Sequence, residues 1–385
     1  MSPTNSKISQ EAVRNQARRT AFGILVYVAT GILQPTVIDF LRIHNCLGRK
    51  WLLLPTLANT LGMALCGLLV SSHQWQTFQS FLKSNARLRQ CILLTATVDL
   101  ISGMCLTGGI MLTGGAVFVV LYNSCPAWTA ILSRTLLKKH LTWMQVSGVL
   151  LVCIGILINV WGSQHQAHTQ EDMMEKRSQD LGAPYKILVG SVIVLVGSLL
   201  HSLMFVMSEW SLRSSLETSG DDEIVSGEIW SCCLGSLESI FMSIWVIVGI
   251  SLYGLNDQNM DEDSVGTNNN VSSFLKGFFA LVVIDTIHAA AFFSLLKKLG
   301  AVPSALLKGV QTIAVVGISA MAFCGTEESQ CLTSMKAISI VTVLSGVICY
   351  GLGSNKDKKN EEIVRDTVTH SELEKNQEMK SLIFS

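Results

Sequence analysis

The fold turns on residues 274–323, FLKGFFALVVIDTIHAAAFFSLLKKLGAVPSALLKGVQTIAVVGISAMAF. Two long apolar runs stand end to end here, split only by Lys297-Lys298-Leu299-Gly300. A helix rises 1.5 Å per residue, so about 20 mainly apolar residues cross a bilayer. A four-residue break holds a turn and little else, so the pair reads as a transmembrane hairpin. Outward from it, runs of the same length recur: 20–41, 51–70, 89–107, 112–133, 141–161, 186–208 and 229–252 before it, and 333–352 after it. With 274–296 and 302–323 these make ten. The chain therefore reads as an all-α, polytopic membrane protein of ten transmembrane helices. Thr113-Gly114-Gly115 is expected to make a second tight hairpin, between the third and fourth spans.

Composition agrees. Of 385 residues, 49% are apolar and 15% charged, against about 25% charged in soluble domains. Mean hydropathy is +0.44. These values exclude a disordered chain, a collagen-like chain and an ordinary cytosolic enzyme. Lys+Arg and Asp+Glu both number 28, so no domain-wide basic field exists to hold nucleic acid. Residues 1–19 are polar and basic, and the first apolar run is long enough to span, so it reads as an uncleaved anchor.

Orientation follows the excess of Lys and Arg on the cytosolic side. With the N-terminus in the cytosol, cytosolic segments hold 19 such residues and the opposite side 8. The one N-x-[ST] acceptor, Asn270-Val271-Ser272, then falls in a lumenal loop, where Asn270 is a candidate glycosylation site. Cys324 and Cys331 bracket the short lumenal loop between the ninth and tenth spans and are candidates for a disulfide. The other apolar-run cysteines read as small buried hydrophobes.

The two halves resemble each other. Val98-Asp99-Leu100-Ile101 matches Ile284-Asp285-Thr286-Ile287 at an offset of 186 residues. Gly115-Ala116-Val117 matches Gly300-Ala301-Val302, and Gly155 matches Gly346 at an offset of 191. The offset equals five spans. Five is odd, so the second copy enters the membrane upside down. Inverted repeats mark secondary transporters, whose halves rock about a midplane site. The expected organisation is a cytosolic tail at 1–19, a first five-helix repeat at 20–161, a polar inter-repeat loop at 162–185, a second repeat at 186–353 and a cytosolic tail at 354–385.

An ionisable residue at mid-span costs roughly 2.5–3.5 kcal/mol on insertion scales, so it needs a partner, a cavity or a function. Asp99 lies mid-span in the third helix and Asp285 in the eighth. Glu238 lies in the seventh, and Lys308, with Gln311 on its face, in the ninth. Tyr122 and Asn123 are read as central in the fourth. These seven form the expected solute site. Lys308 is expected to pair with Asp285, and Asp99 is offered Thr95 as a partner. His201 and His288 are candidates for proton coupling as well as for hydrogen-bonded core positions. Asp39, Glu209 and Glu228 sit near span ends and are expected to reach the interface.

The chain resembles the drug/metabolite transporter superfamily, and within it the solute carrier 35 group and the chloroquine-resistance-transporter-like proteins. The resemblance covers about 20–355. It rests on the Asp99 span, the Gly115–Pro126 span, Ser208-Glu209, Ser226-Gly227-Glu228 and the run Gly300–Ala305 followed by Lys308. Nucleotide-sugar members carry G-A-L-N-K on the ninth span; Ser304-Ala305-Leu306-Leu307-Lys308 keeps the Ala, the Leu and the Lys and lacks the Gly and Asn. The resemblance implies two inverted five-span halves and carriage of small solutes.

No phosphate-binding Gly-rich loop, metalloprotease His pair or nucleophile elbow is present, so the reading is a transporter and not an enzyme, with no cofactor and no metal. His165-x-x-His168 has ligand-like spacing but lies in a polar loop without Cys. The expected function is secondary transport of a small polar organic solute across an endomembrane by exchange or symport. A nucleotide sugar or other organic anion is one solute class. The alternative is proton-coupled export of cationic, amino-acid or peptide-like solutes from an acidic compartment, and a reading of another class is a non-transporting scaffold or receptor. Expected partners are the solute, the lipid bilayer, a second copy of the chain and a sorting adaptor. The adaptor would read Glu378-Met379-Lys380-Ser381-Leu382-Ile383, an acidic dileucine pattern of endosomes, lysosomes or vacuoles. Golgi is the other candidate address.

Overall fold

The structure, a computed structural model, describes residues 3–43, 54–171, 183–219, 224–256, 269–323 and 333–354. Among these every regular element is helical: α1 (Pro3–Ile43), α2 (Leu54–Leu65) with a 3₁₀ extension (Cys66–Leu69), α3 (Ser72–Ser84), α4 (Ala86–Tyr122), α5 (Cys125–Leu136), α6 (Trp143–Glu171), α7 (Ala183–Ser219), α8 (Gly227–Asn256), α9 (Asn269–Leu299), α10 (Ala301–Phe323) and α11 (Ser334–Ser354). Cys324, Cys331 and the dileucine pattern lie outside the described residues. Asn270 falls in the first turn of α9.

Five stretches are long and apolar enough to cross a bilayer: Ala86–Ile110, Leu188–Ser215, Gly227–Val248, Phe274–Leu299 and Ser334–Ser354. A sixth, Leu54–Leu69 with Ser72–Ser84, is bent by 110°. The outer surface is apolar to match. Leu68, Phe279, Phe22 and Ile247 are more than 60% exposed, and dozens of large hydrophobics share that face. A water-facing monomer does not carry such a belt; a lipid-facing one does. The chain is thus a multi-pass membrane protein.

The Ser72–Ser84 helix is absent from the span count. Ser71 and Gln74 form a capping box, each side chain meeting the other's backbone N–H. Trp75 and Phe78 stand one turn apart, and Phe78 is buried. Both signals stand in the sequence, in a stretch too polar to count among the ten spans.

Long α4 packs along long α7, and the contacts reverse. Leu106 faces Gly197, Gly109 faces Val194, and Leu112 and Thr113 face Gly190. Beyond that, Ser198 donates to the Tyr122 carbonyl at 3.2 Å, and Ser202 donates to the Cys125 carbonyl at 3.0 Å. A straight helix would carry Tyr122 about 14 Å past Thr113. Instead the chain doubles back between Thr113 and Tyr122. Asn123 sits at the break between α4 and α5, not inside a helix.

Close helix approaches fall on glycine. A Cβ on Gly62 of α2 would lie 2.6 Å from Asp285 Cβ and 2.8 Å from the Thr286 backbone N of α9. α6 and α11 cross where Gly148 and Gly346 each face the other's carbonyl. Small residues at such crossings let backbones meet, which is how helices gain contact without a hydrophobic drive. The largest core cluster surrounds Trp230, Tyr27, Phe205 and Phe293. It joins α1, α7, α8 and α9, and so fixes the walls of the site.

The α9–α10 turn is the one the two lysines announce. α9 ends at Leu299, Gly300 takes φ +94°, and α10 starts at Ala301. That backbone region favours glycine. A Cβ there would also lie 2.7 Å from Glu209 Oε1. Gly300→Ala is therefore expected to destabilise the protein by about 1–3 kcal/mol. Thermal unfolding in detergent checks it, and an unchanged Tm would refute it.

Candidate functional site

Lys308 stands two turns into α10, among Tyr122 of α4 and His201 and Phe205 of α7. Its Nζ donates to the Tyr122 hydroxyl and lies 3.1 Å from His201 Nε2. It sits 4.6 Å from the Tyr122 ring centroid and 5.8 Å from that of Phe205. The ring faces stabilise a cation, more so away from water. Lys308 is not paired with Asp285, contrary to the expectation from sequence. Asp285 accepts instead from Gln34 Nε2 of α1.

The far side of His201 meets a carboxylate. Nδ1 lies 3.4 Å from Asp99 Oδ1 of α4. Since Lys308 donates to Nε2, the network assigns the ring proton to Nδ1, which points it at Asp99. Asp99 lies beside Glu238 of α8, near enough for the two carboxyls to act on each other. Glu238 Oε1 is buried and has no hydrogen-bond partner of its own. Thr95 does not serve Asp99, for its hydroxyl is buried without a partner. The result is one continuous polar chain, Tyr122–Lys308–His201–Asp99, drawn from α4, α7 and α10, with Glu238 of α8 beside Asp99. The side chains of Asp99 and His201 keep 14% and 17% exposure, so the chain borders reachable space.

A second cluster lies against α1. Thr30 Oγ1 is 2.9 Å from His288 Nδ1, and the His288 ring stacks on Tyr27 with centroids 4.6 Å apart. Gln311 Nε2 donates to the Tyr27 carbonyl at 2.7 Å. Gly31 makes room for that amide; a Cβ there would collide with it. A ladder of rings links the clusters: Tyr122, His201, Phe205, Phe292, Tyr27 and His288, each in contact with the next.

Of the seven expected solute residues, the structure joins Asp99, Tyr122 and Lys308 in one chain, adds His201 to it, and sets Glu238 beside Asp99. Asp285 and Gln311 belong to the second cluster with His288. Asn123 lies next to Tyr122. Sequence reasoning missed Gln34, Thr30, Tyr27 and Phe205. Gln34 carried a signal, as an amide inside the first apolar run. The three others look like ordinary core residues until α1, α7 and α9 are brought together.

Glu209 does not reach the interface, as its place near a span end suggested. It is 0% exposed and takes donors from three segments. Lys139, in the α5–α6 connection, and Arg213 Nη2, at 2.8 Å on the next turn of α7, pair with Oε1. The Ala301 N–H donates to Oε2 at 2.9 Å. Burial pulls the Lys139 ammonium below the usual lysine value, and Glu209 works against that.

Among the described residues no group of His, Cys, Asp and Glu could hold a metal ion. The profile of the EamA-like transporter family matches residues 50–161, from the end of the first loop to the middle of α6. That segment carries Asp99, Tyr122 and Asn123. No curated protein matches the chain. One solved crystal structure of a protein matches over 87% of this chain and 98% of its own, at 14% identity with a TM-score of 0.54. At that identity the likeness is one of fold.

Proposed function

We propose, from the similarity of residues 50–161 to the EamA-like transporter family, part of the drug/metabolite transporter superfamily, that the chain is a secondary transporter of a small organic anion. It works by alternating access, with Lys308 at the centre of its solute site. One observation carries the solute class. Lys308 is a part-buried cation whose direct partners are a phenol, an imidazole and ring faces, with no carboxylate among the described residues in ion-pair reach. Charges inside a membrane protein are paired or functional. An anionic solute supplies the missing counter-charge, and Asp99, Tyr122, Glu238, Gln311 and Asn123 complete the site.

The inverted-repeat organisation, with ten spans in halves 20–161 and 186–353, is part of this reading; the expected loop at 162–185 is helical at its start, where α6 runs on to Glu171, and at its end, where α7 begins at Ala183. Contacts support it. The 186-residue offset maps Asp99 onto Asp285 and Ser102 onto His288. A 167-residue shift maps Gln34 onto His201 and Thr30 onto Gly197. The Asp99–His201 contact then has its counterpart in Asp285–Gln34. Ser102 bonding the Gly197 carbonyl at 2.9 Å has its counterpart in His288 bonding Thr30. At the 191-residue offset, the Gly148–Gly346 crossing maps onto Ser339–Gly155, and Gly155 does face the Ser339 carbonyl. Cytosolic tails at 1–19 and 354–385, and an endomembrane address in Golgi or endosome, lysosome or vacuole, stand on charge bias and the tail pattern.

A second reading, proton-coupled export of cationic solutes, is favoured by the two neighbouring carboxyls of Asp99 and Glu238 beside His201. One experiment separates the two. The purified full-length chain is screened by thermal shift against nucleotide sugars, organic acids, amines and amino acids. Ligands that bind the folded state raise Tm by mass action. The hits are then tested for uptake into proteoliposomes with and without a pH gradient. Anion uptake is expected. Uptake of amines alone, driven by the gradient, moves the assignment to the second reading. Binding and uptake of neither class would defeat transport itself.

A further inference from the structure

We propose that the Lys139–Glu209 ion pair is the latch that closes one face of the transport path, and that it must break for the site to open there. This rests on the alternating-access reading above. Glu209 is placed for the role by what it joins. α7 carries both His201 and Glu209, two turns apart. α10 carries both Ala301, whose N–H donates to Glu209, and Lys308, two turns on. One carboxylate thus clamps the ends of the two helices that hold the centre of the site.

Of its three donors, Arg213 and Ala301 belong to the same half as Glu209. Lys139 alone reaches across from the other half, at the end of α5. α5 and α7 run side by side, with Ser202 bonding the Cys125 carbonyl and thiol at the deep end and Lys139 meeting Glu209 at the other. Parting these helices at the latch end opens a wedge toward Cys125 and Lys308. Gly300 fits the same design: its missing Cβ leaves the space that Glu209 Oε1 and Lys139 Nζ fill. By the Lys/Arg bias this is the cytosolic face, alongside Lys297, Lys298 and Arg213.

The carboxylate stays satisfied when the latch opens. Arg213 and the Ala301 N–H remain on it, so the buried charge is never left bare. Lys139 is 30% exposed and passes readily to water. The pair is therefore strong enough to bias the closed face and weak enough to break in each cycle.

The native Cys125 thiol, 2% exposed beside Ser202, reports the opening. The full-length chain is placed in sealed liposomes. A membrane-impermeant maleimide is added on the latch side, and Cys125 modification is followed by peptide mass spectrometry. Lys139→Met is expected to speed modification roughly tenfold, within the usual range of conformational coupling. Lys139→Arg keeps the charge and is expected to stay near the wild-type rate. An unchanged rate in Lys139→Met would overturn the latch, and so would an equal rise in Lys139→Arg, which would mark a packing effect. Because labelling needs no solute, faster labelling without uptake of any solute leaves the latch standing and counts against transport. Uptake with unchanged labelling does the reverse.

Discussion

Lys308→Ala is expected to reduce uptake at least about 100-fold while leaving the protein folded. Truncating one member of a buried, hydrogen-bonded charged contact typically costs about 2–5 kcal/mol of binding, and a solute anion loses its counter-charge as well. Folding does not suffer in the same way. A part-buried ammonium without a carboxylate partner contributes little net stability, since the cost of removing it from water offsets its hydrogen bonds. Tyr122 and His201 keep their ring contacts with Phe118 and Phe205. The apparent Tm is expected to move by less than about 4 °C. Uptake above half the wild-type rate in Lys308→Ala would take this residue out of the mechanism. A collapse of Tm would make it a structural residue instead.

Gly148→Ala and Gly346→Ala are expected to destabilise the chain by about 1–3 kcal/mol each. A Cβ on Gly148 would stand 2.7 Å from the Gly346 carbonyl and from the Tyr350 backbone N. A Cβ on Gly346 would stand 2.7 Å from the Gly148 carbonyl and 2.8 Å from the Val152 backbone N. Those neighbours are backbone and cannot swing aside, so α6 and α11 must part. The fitting control is Gly351→Ala on α11, where nothing lies within 4 Å. In that open position Ala favours the helix, by up to about 1 kcal/mol. Thermal unfolding in one detergent compares all three. Equal Tm values for Gly148→Ala and Gly351→Ala would show that the crossing is not tight.

The hairpin at Lys297–Gly300 and the ionisable residues inside apolar runs were legible because each is a local signal. A break of four residues, or a Lys at mid-helix, stands out against its neighbours. What those residues touch was not legible. Lys308 and Asp285 both lie mid-membrane on elements joined by a turn, and opposite charge invites pairing them. The answer depends on which helix packs beside each, and α1 brings Gln34 to Asp285 while α7 brings His201 to Lys308. Glu209 failed for a related reason. Position near a span end suggests water, but the α9–α10 turn and Lys139 cover it. The α3 helix leaves only short-range signals, a capping box and aromatic spacing, in a stretch too polar to cross a bilayer.

The paired contacts Asp99–His201 and Asp285–Gln34 have a consequence for ancestry. If a doubled five-helix unit gave rise to the chain, the two aspartates began as one residue with one kind of partner. They have since divided the work. The Gln34 amide donates a hydrogen bond but does not titrate or transfer a proton, so it holds Asp285 in a fixed arrangement. His201 can pass a proton between its two nitrogens, so it ties Asp99 to Lys308 and to whatever Lys308 binds. One descendant became scaffold and the other became instrument. In a carrier that arose by such a duplication, one glutamine or histidine in the partner helix would be enough to decide which half carries the chemistry.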